Sequence, residues 1–290
     1  MLKKILVGTD FSDASLNMMN CLKYLKNCGT EEIKIVHCAD IKDVGGLYIS
    51  ILNLLKPRMK QFEDLLKKKG FIVESEIPLG NPSYELNKIA VNGDFELIVI
   101  GTHGESFMKD ILLGSVAHKT LQEAKKPVLL IPFNILAEKE EEKCKAICGN
   151  FFQHILYATD FSEVSEEAFI FLKGIVEITK SPVDLYHIQD KKKLTPHLLD
   201  KLEAFNKIDA ERLTMLENEL KNLGASKTEK IVEFGNVCEL LTEKANSGKY
   251  SLLVMGNQGR SYIKEAFLGR VANYAVHHID IPILMVPLWK

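Results

Sequence analysis

The stretch Ile5-Leu6-Val7-Gly8-Thr9-Asp10-Phe11-Ser12 decides the fold, because the chain repeats it near its middle. The second copy reads Ile155-Leu156-Tyr157-Ala158-Thr159-Asp160-Phe161-Ser162. Each is a short apolar run, typical of a buried strand, and ends in a serine that can cap a helix. The repeat predicts two copies of one domain, which agrees with a length of 290 residues at about 100–200 residues per domain.

A second pair of matching stretches lies late in each half. Residues 97–104 read Leu-Ile-Val-Ile-Gly-Thr-His-Gly, and residues 252–259 read Leu-Leu-Val-Met-Gly-Asn-Gln-Gly. In the first half, two residues separate Gly101 from Gly104, and nine separate Gly104 from Gly114. The same glycine spacing recurs in the second half, so both copies carry the motif.

Each glycine of the first half has its own physical role. Gly101 ends a buried strand and permits a sharp turn, and Gly104 lets backbone N–H groups approach an anion with no Cβ in the way. Gly114 and Ser115 open a helix, whose free N–H groups and dipole attract a phosphate. The Ser115 hydroxyl adds a donor, so the spacing predicts a phosphate site.

Strands and helices alternate in both halves, which predicts a parallel sheet in each. The strands are predicted at 4–8, 33–38, 71–77, 97–100 and 127–131, and in the second half at 154–158, 182–188, 228–233, 251–255 and 281–286. A helix to about residue 27 follows the first strand, and long second helices are predicted at 47–69 and 196–223. We therefore predict an α/β fold of two tandem, open, doubly wound five-stranded sheets of order 3-2-1-4-5. In that order the winding reverses between the first and fourth strands, so the loops after them flank one crevice.

A charged segment separates the two predicted domains. We place the domains at residues 1–133 and 154–290, with a linker at 134–153. The centre of the linker, residues 138–143, reads Glu-Lys-Glu-Glu-Glu-Lys. We expect a helical turn or more there, but no core element.

Composition excludes some classes of protein. Lys and Arg number 37 and Asp and Glu 39, a net charge of −2, whereas a nucleic-acid-binding domain is usually clearly basic. No apolar stretch approaches the ~20 residues that span a bilayer, and the N-terminal apolar run is too short for a signal peptide. The six cysteines are scattered and form no CxxC motif, which favours reduced thiols. We expect a cytoplasmic protein that contacts neither nucleic acid nor membrane.

With these motifs in view, the sequence resembles the universal stress protein family, here as a tandem pair. That family has a signature of Gly, two residues, Gly, nine residues, Gly and Ser or Thr, which the first half fits fully. The Thr-Asp-Phe-Ser turns are similar too, as is the His-x-x-Asp after the second strand of each half, at residues 37–40 and 187–190. The resemblance covers both halves and leaves out only the linker.

The resemblance implies a stress-response regulator that binds an adenine nucleotide, ATP or AMP, mainly in the N-terminal domain. Asp10 would lie by the ribose, and the backbone of Cys38 would face the adenine. The predicted nucleotide-binding residues are Thr9, Asp10, Cys38, Gly101, Thr102, His103, Gly104, Gly114, Ser115 and Val116. Similar proteins pair through their last strands, which implies an internal pseudo-dimer of the two halves, and a homo-oligomer of chains is expected as well.

The second half departs from the signature at one residue. Its possible site consists of Asp160, Ile188, Gly256, Gly259, Gly269 and Arg270. Arg270 stands where the first half has Ser115, and its positive charge opposes the helix dipole unless an anion is near. It either reaches a phosphate or an acidic neighbour such as Asp160, or it fills the site and replaces the ligand. We favour weakened or altered binding in this half.

Two other functions stay open. A slow ATP-hydrolysing enzyme is one, since Asp10 can help to hold Mg²⁺ or Mn²⁺ through the phosphates of ATP. No catalytic residue and no metal site formed by protein side chains alone are predicted, and the Walker pattern is absent, so a binding protein is favoured over an enzyme. The other is a ligand-free dimerisation scaffold. An alternative interpretation of Asp10 is that it only holds its loop through backbone N–H groups, and His37 and His187 are predicted to be hydrogen-bonded core histidines.

Overall fold

The computed structural model describes residues 2–39, 48–102, 113–132, 151–194, 199–259 and 267–288. The chain divides into two compact units, whose main segments meet in the sequence between Asn150 and Phe151. Each unit contains a five-stranded parallel sheet whose strands are connected by helices.

The N-terminal sheet has the predicted topology. Its strands are β1 (Lys4–Gly8), β2 (Glu32–Val36), β3 (Ile72–Glu76), β4 (Leu97–Gly101) and β5 (Val128–Ile131). They lie in the order β3-β2-β1-β4-β5 and all pair in parallel. All four residues of β5 are buried, as expected for a strand covered on both faces. The predicted strand order is confirmed.

The helices of this unit begin and end at residues with a recognisable local role. They are α1 (Asp13–Cys21), α2 (Tyr48–Lys68), α3 (Pro82–Asn92) and α4 (Ser115–Glu123). The Ser12 side chain caps α1 by accepting the N–H of Ser15 at 3.2 Å. The helix predicted to about residue 27 is α-helical only to Cys21, and the next residues, Leu22–Cys28, form a 3-10 turn. Gly70, in the left-handed region at φ 84°, follows the end of α2 in the way common for helix C-termini.

The C-terminal sheet repeats the topology with longer outer strands. Its strands are β6 (Ile155–Ala158), β7 (Val183–Asp190), β8 (Thr228–Gly235), β9 (Leu252–Gly256) and β10 (Ile283–Val286). The order is β8-β7-β6-β9-β10, all parallel. β7 and β8 each have eight residues, against five in β2 and in β3. The extra pairing carries β7 on to Asp190, which lies opposite Gly235.

The second long helix of this unit starts later than predicted. The helices are α5 (Glu163–Thr179), α6 (Lys191–Leu194), α7 (Leu202–Asn222), α8 (Val237–Ala245) and α9 (Arg270–His278). A 3-10 turn at Leu199–Lys201 precedes α7, and residues 195–198 lie outside the described part of the chain. The apolar period that predicts a helix fixes its buried face but not its first residue, so the predicted start at 196 is corrected to Leu202.

The end of the predicted linker belongs to the C-terminal unit. Phe151 is 0% exposed and Phe152 is 6% exposed, and their rings meet edge to face with centroids 6.3 Å apart. The core of this unit therefore begins before residue 154. Residues 133–150, which hold the charged centre of the linker, lie outside the described residues.

One cysteine differs from the expectation that all six are reduced thiols. Cys28, Cys38 and Cys238 are free thiols, whereas Cys21 is disulfide-bonded. A disulfide depends on proximity in space, which the spacing of cysteines along a chain does not show. Burial raises the pKa of the Cys38 thiol to about 12, with smaller contributions from the charges of Glu85 and Glu76, and a thiol with so high a pKa is a poor nucleophile.

None of the described helices is long and apolar enough to cross a bilayer.

Candidate functional site

The candidate site of the N-terminal unit lies where the sheet reverses its winding. β1 lies between β2 and β4, and Val7 of β1 is opposite Val99 of β4. Two residues further along, Thr9 directly follows β1 and Gly101 is the last residue of β4. The two strands therefore end side by side. The loops that follow them flank the crevice in which an open α/β sheet binds its ligands.

Asp10 organises the loop after β1. Its Oδ1 accepts three hydrogen bonds: from the N–H of Ser12 at 3.1 Å, from the Ser12 hydroxyl at 2.6 Å and from the Ser15 hydroxyl at 2.5 Å. Thr9 Oγ1 accepts the N–H of Phe11 at 3.1 Å. Phe11 has a φ of 63°, a left-handed conformation that costs a bulky residue about 1–3 kcal/mol and is often kept at functional sites. Asp10 therefore holds its own loop, which was the alternative interpretation of this residue, and the residue as a whole is half-buried at the crevice.

His37 fastens the same loop from the neighbouring strand. Its Nδ1 lies 2.9 Å from the carbonyl oxygen of Thr9, so Nδ1 carries a proton and donates it. The Phe11 ring packs on the imidazole with centroids 4.3 Å apart and meets Phe62 of α2 at 5.5 Å. His37 is therefore a hydrogen-bonded structural histidine, as predicted. Cys38, the residue expected to face the adenine, follows it and is half-buried.

The start of α4 is fixed to the end of β4. The N–H of Gly114 donates to the carbonyl of Thr102 at 2.6 Å, and the N–H of Thr102 donates to Ile131 of β5 at 3.1 Å. The Gly114 amide is therefore used inside the protein, which narrows the predicted set of phosphate-binding N–H groups. Gly114 is also the N-cap of α4 and has no side chain to cap the helix. The positive end of the α4 dipole is therefore not capped by a side chain of its own N-cap residue.

The structure brings most of the predicted residues of the first site to this one crevice. Ser115 and Val116 are exposed at the start of α4, and Gly101 and Thr102 end β4 beside Thr9 and Asp10. His103 and Gly104 lie outside the described residues.

The C-terminal unit repeats the loop that follows the first strand. His187 Nδ1 lies 2.8 Å from the carbonyl of Thr159, and Phe161 has a φ of 57°. Asp160 Oδ1 accepts the N–H of Ser162 at 3.1 Å. The hydroxyl of Ser165, however, donates to the Ser162 carbonyl at 2.8 Å, whereas its counterpart in the first unit donates to Asp10. The backbone of the site is conserved between the copies while its polar contacts differ.

The glycines of the second copy pack tightly against neighbouring loops. The N–H of Gly269 donates to the Asn257 carbonyl at 2.9 Å, as Gly114 does to Thr102. A Cβ on Gly269 would lie 3.1 Å from the Cα of Gln258. A Cβ on Gly259 would lie 2.8 Å from Oδ2 of Asp160, closer than real side-chain carbons come. The glycine loop therefore lies directly against the Asp160 carboxylate.

Arg270 has an acidic neighbour, but not the one that the sequence suggested. Its Nη2 lies 3.4 Å from Oδ2 of Asp190, the last residue of β7. The sequence analysis named Asp160 as an example of an acidic neighbour. Asp190 contacts Arg270 instead, because β7 is three residues longer than β2 and ends at Asp190. Ile188, the counterpart of Cys38, lies within this extension and is half-buried.

A buried polar cluster at the same edge escaped the sequence analysis. Asp209 of α7 lies 3.3 Å from Nε2 of His187 and accepts a hydrogen bond from Nε2 of Gln189 at 2.9 Å. Arg212, one turn on, lies 3.8 Å from the same carboxylate and sits over the Phe161 ring at 4.5 Å. Counted back from Gly224 and Gly70, which end the two long helices, Asp209 corresponds to Leu55. That exchange of a carboxylate for leucine is the signal that would have revealed the cluster.

Known proteins of one domain match a single half of this chain. The profile described as the universal stress protein family matches residues 1–132 and 151–287, one match per unit. Universal stress protein MJ0577 of Methanocaldococcus jannaschii is 32% identical over 155 residues, which cover 45% of this chain and 95% of that protein. Universal stress protein YxiE of Bacillus subtilis is 31% identical over 147 residues, which cover 45% of this chain and 99% of that protein.

A solved structure matches the whole chain. The crystal structure of a universal stress protein from Archaeoglobus fulgidus DSM 4304 superposes with a TM-score of 0.74 and covers 99% of both chains at 20% sequence identity. At that identity the likeness concerns the fold. The two profile matches show that this chain belongs to the universal stress protein family and has two tandem domains.

Proposed function

We propose that this chain is a stress-response regulator that binds an adenine nucleotide, ATP or AMP, mainly in its N-terminal domain. The ligand would lie at the carboxyl ends of β1 and β4, with its phosphates towards the start of α4. The observation that carries this proposal is the uncapped, positive start of α4, held beside the Asp10 loop by the 2.6 Å hydrogen bond from Gly114 to Thr102.

Each part of the crevice has a role in this proposal. Ser115 is exposed on the first turn of α4 and can donate its hydroxyl to a phosphate oxygen. The half-buried carboxylate of Asp10 is an acceptor suited to a ribose hydroxyl. The backbone of Cys38, next to the anchored His37, supplies the edge against which adenine would lie.

A divalent ion would reach this site with its nucleotide. Among the described residues no group of three His, Cys, Asp or Glu side chains can hold a metal ion. Mg²⁺ or Mn²⁺ bound to ATP would therefore be held through the phosphates and, of this chain's residues, by Asp10.

We also propose that the two halves act as an internal pseudo-dimer and that chains associate further. The duplication supports the first idea, since relatives such as MJ0577 match this chain over one copy. Analytical ultracentrifugation of the full chain tests the second, and a single species at the mass of one chain would contradict it.

Ligand identity tests the central proposal. We expect mass spectrometry of the supernatant from denatured, purified protein to detect AMP, ADP or ATP, and calorimetry with ATP and AMP to show binding. Gly114→Val places a branched side chain at the start of α4 and should abolish binding in a chain that still folds by circular dichroism. The exposed Lys119 on the same helix offers a control, since Lys119→Val leaves the helix start intact. Unchanged affinity in the folded Gly114→Val chain would place the site elsewhere.

A further inference from the structure

An ion pair spans the crevice of the C-terminal copy. Asp190 is the last residue of β7, and Arg270 is the first residue of α9, which follows β9. Because β6 lies between β7 and β9, the contact between these side chains crosses the carboxyl end of β6. The loop of Asp160 begins at that point, so the pair stands over the position that corresponds to the nucleotide site of the first copy.

The protein supplies partners for the Asp190 carboxylate, whereas the Arg270 side chain is 57% exposed. Asp190 Oδ2 lies 3.4 Å from Nη2 of Arg270, and its Oδ1 accepts the N–H of Lys192 at 3.0 Å. The Asp190 side chain is only 14% exposed. Asp190 thus supplies a negative charge beside the Arg270 side chain, whereas the first copy has an exposed serine at the start of its helix.

Two glycines of this copy pack closely against neighbouring groups. The glycine loop approaches the Asp160 carboxylate so closely that one added carbon on Gly259 would lie 2.8 Å from Oδ2. On its other side, the loop packs on the start of α9, where a carbon on Gly269 would lie 3.1 Å from Gln258 Cα. A phosphate placed against Gly259 would meet the negative charge of Asp160, and one placed beside Arg270 would meet that of Asp190.

We infer that the Arg270–Asp190 ion pair, hereafter the latch, excludes phosphate groups from the C-terminal crevice and so determines which copy takes a nucleotide. The inference rests on the proposed function, in which the N-terminal copy binds that nucleotide. A phosphate that drew the Arg270 guanidinium away from Asp190 would leave a largely buried carboxylate without its cation. Arg270 and Asp190 are therefore specificity-determining residues of this domain.

The test removes the latch in a chain that has lost its first site. Calorimetry with ATP and with AMP is carried out on the full chain carrying Gly114→Val, alone and combined with Arg270→Ser, which restores the serine of the first copy. We expect no binding in the first chain and about one nucleotide per chain in the second, because the start of α9 is then free to accept a phosphate. Arg270→Gln, which keeps a long polar side chain without the charge, should give the same gain and guards against a folding defect in one variant.

Lys192→Ser is the matched control. It removes one exposed positive charge beside Asp190 and leaves the latch and the Lys192 backbone N–H in place. It should add no binding. A gain equal to that of Arg270→Ser would mean that net charge, and not the latch, controls access, and would overturn the inference.

The outcomes separate this inference from the proposed function. If the unmodified chain binds about one nucleotide and neither substitution of Arg270 adds a second, the latch is wrong and the proposed function stands. Binding to the C-terminal copy with Arg270 in place also overturns the latch. If the unmodified chain binds none but the Arg270 variants do, the N-terminal assignment fails while the latch is supported.

Discussion

The two copies share a backbone and differ in where they place charge. Strand order, the Thr-Asp-Phe-Ser turn, the histidine anchor and the helix start held by a glycine amide are the same in both. The C-terminal copy adds acidic groups with partners inside the domain at two places, Asp184 and Asp209. Asp190 belongs to the His-x-x-Asp pattern that both halves contain, and in this copy it pairs with Arg270. The difference teaches that a duplicated domain can change the pairing of its internal charges while its fold stays intact.

The most buried of these acidic groups lies at the amino end of the sheet, away from the crevice. The Asp184 side chain is 1% exposed. It contacts Nε2 of His154 at 3.0 Å, Nζ of Lys249 at 2.5 Å and the hydroxyl of Tyr250 at 2.8 Å. From the strand registers, its counterpart in the first copy is Lys34, whose ion pair with Glu76 is partly exposed. Within the described parts of the two copies, the buried ionic network at this end belongs to the second.

Asp184→Asn should have the largest effect on the comparison. We expect it to lower the free energy of unfolding of the C-terminal copy by about 2–4 kcal/mol, since it leaves charged and polar partners without their carboxylate. Hydrogen-exchange mass spectrometry, read separately for the two halves, measures the change. Lys34→Gln at the matched position should cost under about 1 kcal/mol. Equal losses in the two halves would mean that the buried network is not special to the second copy.

The same network sets a pH dependence with a definite sign. Burial by itself raises the pKa of the Asp184 carboxyl, but the hydrogen bonds from Lys249, His154 and Tyr250 outweigh it and hold the pKa below its usual value. The group therefore contributes its full stability above the unfolded pKa of about 4 and loses it as the pH falls through the lower folded pKa. The stability difference between the unmodified chain and Asp184→Asn should narrow below about pH 4, as urea unfolding at several pH values can show. A difference that widens with acid would contradict the assignment.

Asp209→Leu gives the second copy the residue of the first and should have an intermediate effect. It removes the acceptor of Gln189 and the partner of His187, two buried side chains, so we expect a loss of about 1–3 kcal/mol in the stability of the C-terminal copy. Thermal unfolding followed by circular dichroism is a sufficient measurement. Asp200→Leu, at an exposed carboxylate of the 3-10 turn before α7, serves as control and should change stability by less than about 0.5 kcal/mol. A neutral Asp209→Leu would show that leucine is accommodated equally well in both copies.

Ser115→Ala should have the smallest effect and sharpens the comparison most directly. Loss of one neutral hydrogen bond to a phosphate is worth about 1 kcal/mol, so nucleotide affinity in the first copy should fall about fivefold. Gln122→Ala, at the far end of α4, should leave the affinity unchanged in the same calorimetric titration. A small loss means that the missing serine alone does not account for weakened nucleotide binding in the second copy. That result agrees with the inference that Arg270 excludes the ligand. A complete loss of binding would assign the difference to the serine instead.

The repeat and the apolar strand runs were sufficient to predict the topology. Runs such as residues 97–100 have no polar residue, which is what a parallel strand covered on both faces requires, and both sheets have the predicted order. The glycine spacing also located the start of α4, which begins at Ser115 directly after Gly114.

The contacts that distinguish the copies were beyond prediction from sequence. Arg270 and Asp190 are 80 positions apart, and their contact depends on an extension of β7 that no apolar alternation indicates. Asp184 lies inside a strand, where a carboxylate is unexpected until its partners on distant elements are known. Pairings between groups far apart in sequence follow from the three-dimensional arrangement, which local patterns do not encode.

The bond between Gly114 and Thr102 has a consequence for how such proteins can diversify. Eleven residues separate these two anchors, yet their backbones are in direct contact, so the intervening segment leaves and returns at one point. Lengthening a segment that closes on itself costs little, about 0.6 kcal/mol for a doubling in length. Sequences grafted between these anchors should therefore leave the sheet undisturbed, and the same holds between Asn257 and Gly269. Each half offers one insertion point at which new recognition chemistry could be added without redesigning the scaffold.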